Sequence, residues 1–231
     1  MSTRKIGILA MKANRAHALF SVFMMTVVFV INFVATSVVS SSAFAAPSAA
    51  KEVKFKDYPI EISKGDRLVI SGIRGSVKLI QIAPGKSPVV RAKKVLPAGA
   101  KSSGSQLFEN LSFQVRKEGT IVTVEAKGPA SRQEFIDAAA SGQPEISFEI
   151  EAPSTPAEVH FHSGQVTAVG WKDGLSISLI DGKINSTDGE GILRTILTRG
   201  EIKIDKQKGN VEIENHGGKV ALSNIAGDVR L

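Results

Sequence analysis

The chain has 231 residues, with 29 basic and 22 acidic side chains and a net charge of +7. Four of the basic residues, Arg4, Lys5, Lys12 and Arg15, fall in the leader, and removing them leaves +3. That is too weak a balance for the one-sided positive field of a nucleic-acid binder. Cysteine is absent, which excludes a disulfide framework and a lipobox anchor, so packing and backbone hydrogen bonds must hold the fold.

The first segment reads as an export signal. A basic stretch without acids precedes an almost wholly apolar run, Ser21 to Val39, and Ala43-Phe44-Ala45 supplies a small-x-small cleavage site. Residues 1–45 are therefore expected to be a signal peptide. An uncleaved anchor is the alternative, since Phe20 to Val39 is long enough to span a bilayer. Residues 46–52 read as a flexible terminus.

Short alternating segments follow: Val53 and Phe55, Ile60 and Ile62, Leu68 and Ile70, then Gly75 to Leu79 and Val89 to Lys93. Arg91, Lys93, Lys94 and Lys101 read as a solvated strand edge and loop, and Leu96 to Gln106, with its prolines, glycines and serines, as a surface loop. Leu111 to Val115 and Ile121 to Ala126 are expected to pair as a hairpin through Lys117-Glu-Gly-Thr120. Ser131-Arg-Gln-Glu134 forms a capping-box signature, so 131–142 should hold one short helix covering an apolar end or face of the sheet.

After Ile146, Phe148 and Ile150 the spacing tightens. Glycine recurs at positions 182, 191, 200, 209, 218 and 227, an unbroken interval of nine. Most units continue as any residue, aliphatic, any, aliphatic, as in Ile202 and Ile204 or Val211 and Ile213. A five-residue strand plus a four-residue corner accounts for each unit. The expected fold is all-β: a β-solenoid, or single-stranded β-helix, of short parallel strands, forming one domain over 53–231 and most regular over 164–231. Two or three units would complete a coil.

In Gly164-Gln-Val-Thr-Ala-Val-Gly170, Asp181-Gly182-Lys-Ile, Lys208-Gly209-Asn-Val-Glu-Ile and Gly217-Gly218-Lys-Val-Ala-Leu the chain resembles the bacterial putative-adhesin domains, relatives of the head-GIN domains, which are exported β-solenoids. The resemblance covers roughly 53–231. It implies a non-enzymatic, adhesin-like binding or structural role in the cell envelope, in the periplasm or at the surface. It carries no catalytic residue and no cofactor.

The residues themselves offer few sites. His160 and His162 would share an outward strand face with only His216 to join them, a weak metal set. Asp173-Gly174, Asp181-Gly182 and Asp188-Gly189 read as turn pairs rather than calcium corners. The alternative function, a small glycan-acting enzyme on the same scaffold, would have to use Glu212, Glu214 and Asp188, with Trp171 and Tyr58 as sugar platforms. No catalytic, cofactor or metal residue is assigned. The expected partner is an envelope or surface protein or glycan. The C-terminal strand edge is expected to pair with another copy or to be covered by the helix near Phe135.

Overall fold

Alternation of aliphatic and polar residues gives each strand one face that leaves water and one that does not. The computed structural model describes residues 50–129, 131–140 and 142–231; the signal peptide expected over 1–45 lies outside them. Thirteen strands and two helices occur among the described residues. They are β1 (Lys51–Lys54), β2 (Tyr58–Pro59), β3 (Arg67–Gln81), β4 (Val89–Leu96), α1 (Ser102–Asn110), β5 (Ser112–Glu118), β6 (Ile121–Lys127), α2 (Arg132–Ala139), β7 (Glu145–Ala152), β8 (Ala157–Val169), β9 (Leu175–Thr187), β10 (Leu193–Lys208), β11 (Val211–Asn215), β12 (Gly218–Ala226) and β13 (Val229–Arg230). Lys51 and Glu52, expected in a flexible terminus, instead pair with Leu96 and Val95.

The strands form one large mixed sheet in the order β1-β4-β7-β3-β8-β9-β10-β11-β13, with β12 on β10, β2 on β4 and the β5–β6 hairpin on β3. Pairing is parallel from β7 through β3, β8, β9 and β10, and antiparallel where β4 meets β7 and β1. Each residue of β8 faces the residue 18 positions on in β9, and β9 faces β10 the same way, so Val159, Ile177 and Thr195 align, as do Gly164, Gly182 and Gly200. The nine-residue spacing is thus half of an 18-residue register.

The strands are also longer than expected, 13 residues in β8 and β9 and 16 in β10. Each spans a glycine without losing its ladder. Phe161 and Val166 are five positions apart, which would put them on opposite faces of a straight strand. Both are buried in one cluster with Ile177, Ile184, Ile202 and Ile204. The chain therefore redirects its side chains at Gly164, and both halves of the strand line the same core.

This explains the glycines more sharply than turn propensity does. They fall into two columns, Gly75, Gly164, Gly182, Gly200 and Gly218, and Gly191, Gly209 and Gly227. At Gly200 the φ is +139°, and an added Cβ would stand 1.8 Å from the carbonyl oxygen of Gly182. Backbone meets backbone there, and only a residue without a side chain fits. Two units that break the aliphatic pattern keep the register all the same: Ser186 and Thr195 occupy buried core positions, 2% and 1% exposed.

A further column was not visible in the sequence. Gly170, Asp188, Lys206 and Asn224, each 18 residues apart, all adopt left-handed backbone, with φ of 67°, 54°, 54° and 55°. Glycine, Asp and Asn tolerate this region, whereas a lysine is strained there by about 1 kcal/mol. Lys206→Asn is accordingly expected to stabilise the protein by about 0.5–1 kcal/mol. The urea midpoint should rise with an unchanged slope, since the exposed 3.6 Å pair of Lys206 with Asp188 contributes little.

The helices pack near the start of the parallel ladder. α2 carries the complete Ser131/Glu134 capping box and buries Ala138, leaving Phe135 and Ile136 exposed. It lies against β3 and α1, and the Phe135 ring meets His162 edge-on at 5.7 Å. It does not reach β12 or β13, so covering of the C-terminal edge by this helix is ruled out. There are two helices rather than one inserted helix, because 102–110, expected mostly in a loop, forms α1. Its glycine, Gly104, sits where a Cβ would be 2.9 Å from the Gln143 Oε1, and Phe108 is its buried anchor. Lys94 is correspondingly not solvated. It points inward with Val90 and Ala92, is 8% exposed, and donates to the Phe108 carbonyl at 2.7 Å and the Glu109 carbonyl at 3.2 Å, placing a cation at the C-terminus of α1.

Candidate functional site

Outward positions of a strand face water and are free to carry charge, and here the charges interlock between neighbouring strands. Arg194 meets Glu212 at 2.6 Å, Arg199 meets Asp181 at 3.1 Å, and Lys183 meets Glu201 at 3.9 Å. Such exposed pairs are each worth about 0–1 kcal/mol; they define surface chemistry more than stability.

The densest set surrounds a groove of about 410 Å³ where β1, β4, β7 and β3 lie side by side. The register that aligns Lys54 with Lys93, Lys93 with Ser147 and Arg91 with Glu149 brings them together. The Arg91 guanidinium donates to Glu151 at 2.7 Å, to Asp57 at 3.2 Å and to Glu149 at 3.3 Å. The Glu151 bond foremost, with Asp57 assisting, holds its pKa above the ordinary range. Lys78 donates to Glu149 at 3.1 Å, and Lys93 to Glu52 at 3.1 Å. Lys54 lines the groove without an ion pair among the described residues, and Ser76 and Ser147 add hydroxyls. The result is a shallow surface of alternating donors and acceptors. Arg91 and Lys93, expected to be merely solvated, are organised parts of it.

The residues weighed for catalysis or metal binding are not brought together. His160 is exposed and His162 half-buried on the outward face, with Phe161 inward. His160 lies 3.5 Å from Glu158, while His216 lies 2.9 Å from Glu214. His160 is three strands away from Glu214 in register, about 14 Å at the usual strand spacing. Among the described residues no group of three or more His, Cys, Asp or Glu gathers around a metal-sized space. Asp173 accepts from the Ser154 hydroxyl at 2.6 Å, Asp181 pairs with Arg199, and Asp188 sits at the left-handed corner beside Lys206. Glu212 is held by Arg194, on the other half of the ladder from Asp188. Trp171 is no sugar platform: it is 2% exposed and its indole N–H donates to the Thr155 carbonyl at 3.1 Å. Tyr58 is 46% exposed on β2, its ring edge-on to Phe113.

Trp171 ends a buried polar chain that no sequence motif announces, because its members come from segments far apart in the chain. The Thr155 hydroxyl donates to the Asp66 carbonyl. The Asp66 carboxylate accepts from Lys117 Nζ at 2.6 Å and the Ser63 N–H at 2.7 Å, and the residue is 4% exposed. The hydrogen bond from Lys117, then that from Ser63, lowers the Asp66 pKa against the opposing effect of burial. A depressed folded pKa stabilises the fold above the unfolded carboxylate value of about 3.9. That contribution is lost as the pH falls through the lower folded value. Asp66→Asn is expected to lower the urea midpoint at pH 7 and to flatten its acid dependence below about pH 4; an unchanged acid slope would show that other carboxylates carry it.

Neither the scan against family models nor the search of curated proteins finds a match. The structure is similar to that of a putative cell adhesion protein from Clostridium sporogenes, at 9% identity and a TM-score of 0.48, covering 78% of this chain and all of that one. It is also similar to a putative adhesin from Bacteroides fragilis (12% identity, TM-score 0.25, 80% and 98% covered) and to a putative lipid binding protein from Parabacteroides distasonis (10% identity, TM-score 0.25, 78% and 96% covered).

Proposed function

We propose that the chain is a non-enzymatic, exported β-solenoid of the bacterial cell envelope that binds a hydroxyl-rich surface glycan, and that its 1–45 leader is the export signal. In this reading each coil is 18 residues, two glycine units, and the stack is a rigid frame for surface side chains. The observation that carries the binding role is the groove at Lys54, Lys78, Arg91 and Glu149. Sugar hydroxyls both donate and accept, so a surface that interleaves ammonium, guanidinium, carboxylate and hydroxyl groups at 3 Å spacings suits them.

The test is saturable binding of the mature protein to isolated envelope polysaccharide. Lys78→Ala and Glu149→Ala should each weaken it about tenfold, the value of one or two charge-assisted hydrogen bonds. Binding that neither variant changes would remove the groove from the account. Absence of binding to every envelope fraction would remove the glycan role.

A further inference from the structure

Two rows of outward side chains cross the groove at right angles to its strands. In the first, Arg91 faces Glu149, which faces Lys78, which faces Thr167. In the second, Lys54 faces Lys93, which faces Ser147. Ser147 and Ser76 each stand one position before the facing pair Phe148 and Val77, and Ser76 faces Gln165.

The first row is electrically complete. Glu149 accepts from Arg91 and Lys78, and Arg91 also holds Glu151 and Asp57. The second row is not. Lys54 stands directly opposite another lysine, an arrangement in which like charges repel. Lys93 leans to Glu52 at 3.1 Å and is neutralised there. The Lys54 ammonium is left without an ion pair or hydrogen bond among the described residues, and so are the Ser76 and Ser147 hydroxyls beside it. Gln165 spends its amide N–H on the Thr167 hydroxyl at 3.4 Å, which leaves its oxygen as an acceptor.

Both carboxylates that line the groove, Asp57 and Glu149, have a cation, whereas of the lining cations Lys54 alone has no carboxylate among the described residues. The unmet demand is for one negative charge. A neutral sugar gains nothing from this ammonium beyond what water offers, while a sugar bearing a carboxylate or a sulfate ester gains a charge-assisted hydrogen bond. A phosphate monoester, with a charge of about −1.5 to −2, exceeds the demand. Neighbouring strands lie about 4.8 Å apart, so Ser147 and Ser76 together span about one sugar ring.

We propose that the groove is a site for a singly charged acidic glycan, with the carboxylate or sulfate ester at Lys54 and the ring hydroxyls along Ser147, Ser76 and Gln165. This rests on the glycan reading above and narrows it to a chemical class.

The probes are a fluorescently labelled oligogalacturonate and its methyl ester, which share one sugar backbone and differ in charge, each titrated with the protein and read by anisotropy. The acid should bind about five- to tenfold more tightly, the value of one charge-assisted hydrogen bond. In Lys54→Gln both should bind with the affinity of the ester. Lys219→Gln removes an equal charge four strands from Ser76 in register, and should keep the full preference. Competition by free glucuronate or by glucose 6-sulfate tells a carboxylate site from a sulfate ester site, and glucose should compete less than the better of the two. Equal binding of acid and ester, or a preference that survives Lys54→Gln, overturns the acidic assignment and leaves the groove a site for neutral glycan. A preference lost equally in Lys219→Gln overturns it as general attraction to positive charge. Binding of neither oligomer overturns it as well, while the broader glycan reading falls only with the envelope polysaccharide.

Discussion

Gly200→Ala is expected to cost about 4 kcal/mol or more, a large share of the stability of a domain this size. Two effects combine at this position. The φ of +139° is one that side chains rarely adopt, and the new methyl would lie 1.8 Å from the Gly182 oxygen, 2.8 Å from its carbonyl carbon and 3.1 Å from its nitrogen. The obstacle is backbone rather than a movable side-chain end, so relief requires β9 and β10 to separate and lose the ladder between them. Gly217→Ala is the matched control. Nothing lies nearer than 3.5 Å to its Cβ, and a loss under about 1 kcal/mol is expected. Urea unfolding of the two variants checks the contrast; equal losses would mean that glycine serves only as a general source of flexibility.

The second large effect is expected at Trp171. Trp171→Ala should lose about 3–5 kcal/mol, because the indole is fully enclosed and the deleted volume leaves a cavity that a sheet held by cross-strand ladders cannot collapse into. It also strips the Thr155 carbonyl of its donor, and Thr155 is bonded in turn to Asp66. Trp171→Phe keeps most of the volume and loses only the N–H, so it should cost about 1–2 kcal/mol. Circular dichroism is the readout, since Trp171 is the sole tryptophan and its fluorescence disappears with it. A phenylalanine variant as unstable as the alanine one would move the weight from packing to the hydrogen-bonded chain.

The all-β character, the hairpin at Gly119 and the helix cap at Ser131 could be read from local pattern, because each depends on residues a few positions apart. The glycine interval was equally plain, yet its meaning was not. A spacing of nine fits one strand and one corner, and only the alignment of Gly164 with Gly182 and of Gly182 with Gly200 shows that glycines two units apart lie side by side on neighbouring strands. Strand length was misjudged for the same reason: at Gly164 the buried positions shift from odd to even numbers, which looks like a break but is a continuous ladder redirected around a common core. The surroundings of Lys94 and Trp171 are not legible in composition, which places lysine in water and offers tryptophan to the enzyme alternative as a sugar platform, whereas helix carbonyls from α1 and a distant Thr155 carbonyl meet them inside. Serines and Gly104 disguised α1, whose anchor Phe108 gains its value from packing. The left-handed column at Asp188, Lys206 and Asn224 shares no residue type, so only backbone angles disclose it. At the groove, Lys78, Arg91 and Glu149 come from three strands, and their convergence depends on a register that one sequence does not display.

The 18-residue parallel register organises the sheet from β8 to β13, and a pair of engineered cysteines tests it directly because the protein has none of its own. Thr167 and Asn185 are outward neighbours on β8 and β9, about 4.8 Å apart at the Cα atoms, within the range a disulfide spans. Thr167→Cys with Asn185→Cys should oxidise to an intramolecular disulfide in the folded protein. Thr167→Cys with Ser176→Cys, nine residues apart on different halves of the ladder, should keep both thiols free. Cross-linking of the second pair in place of the first would contradict the account.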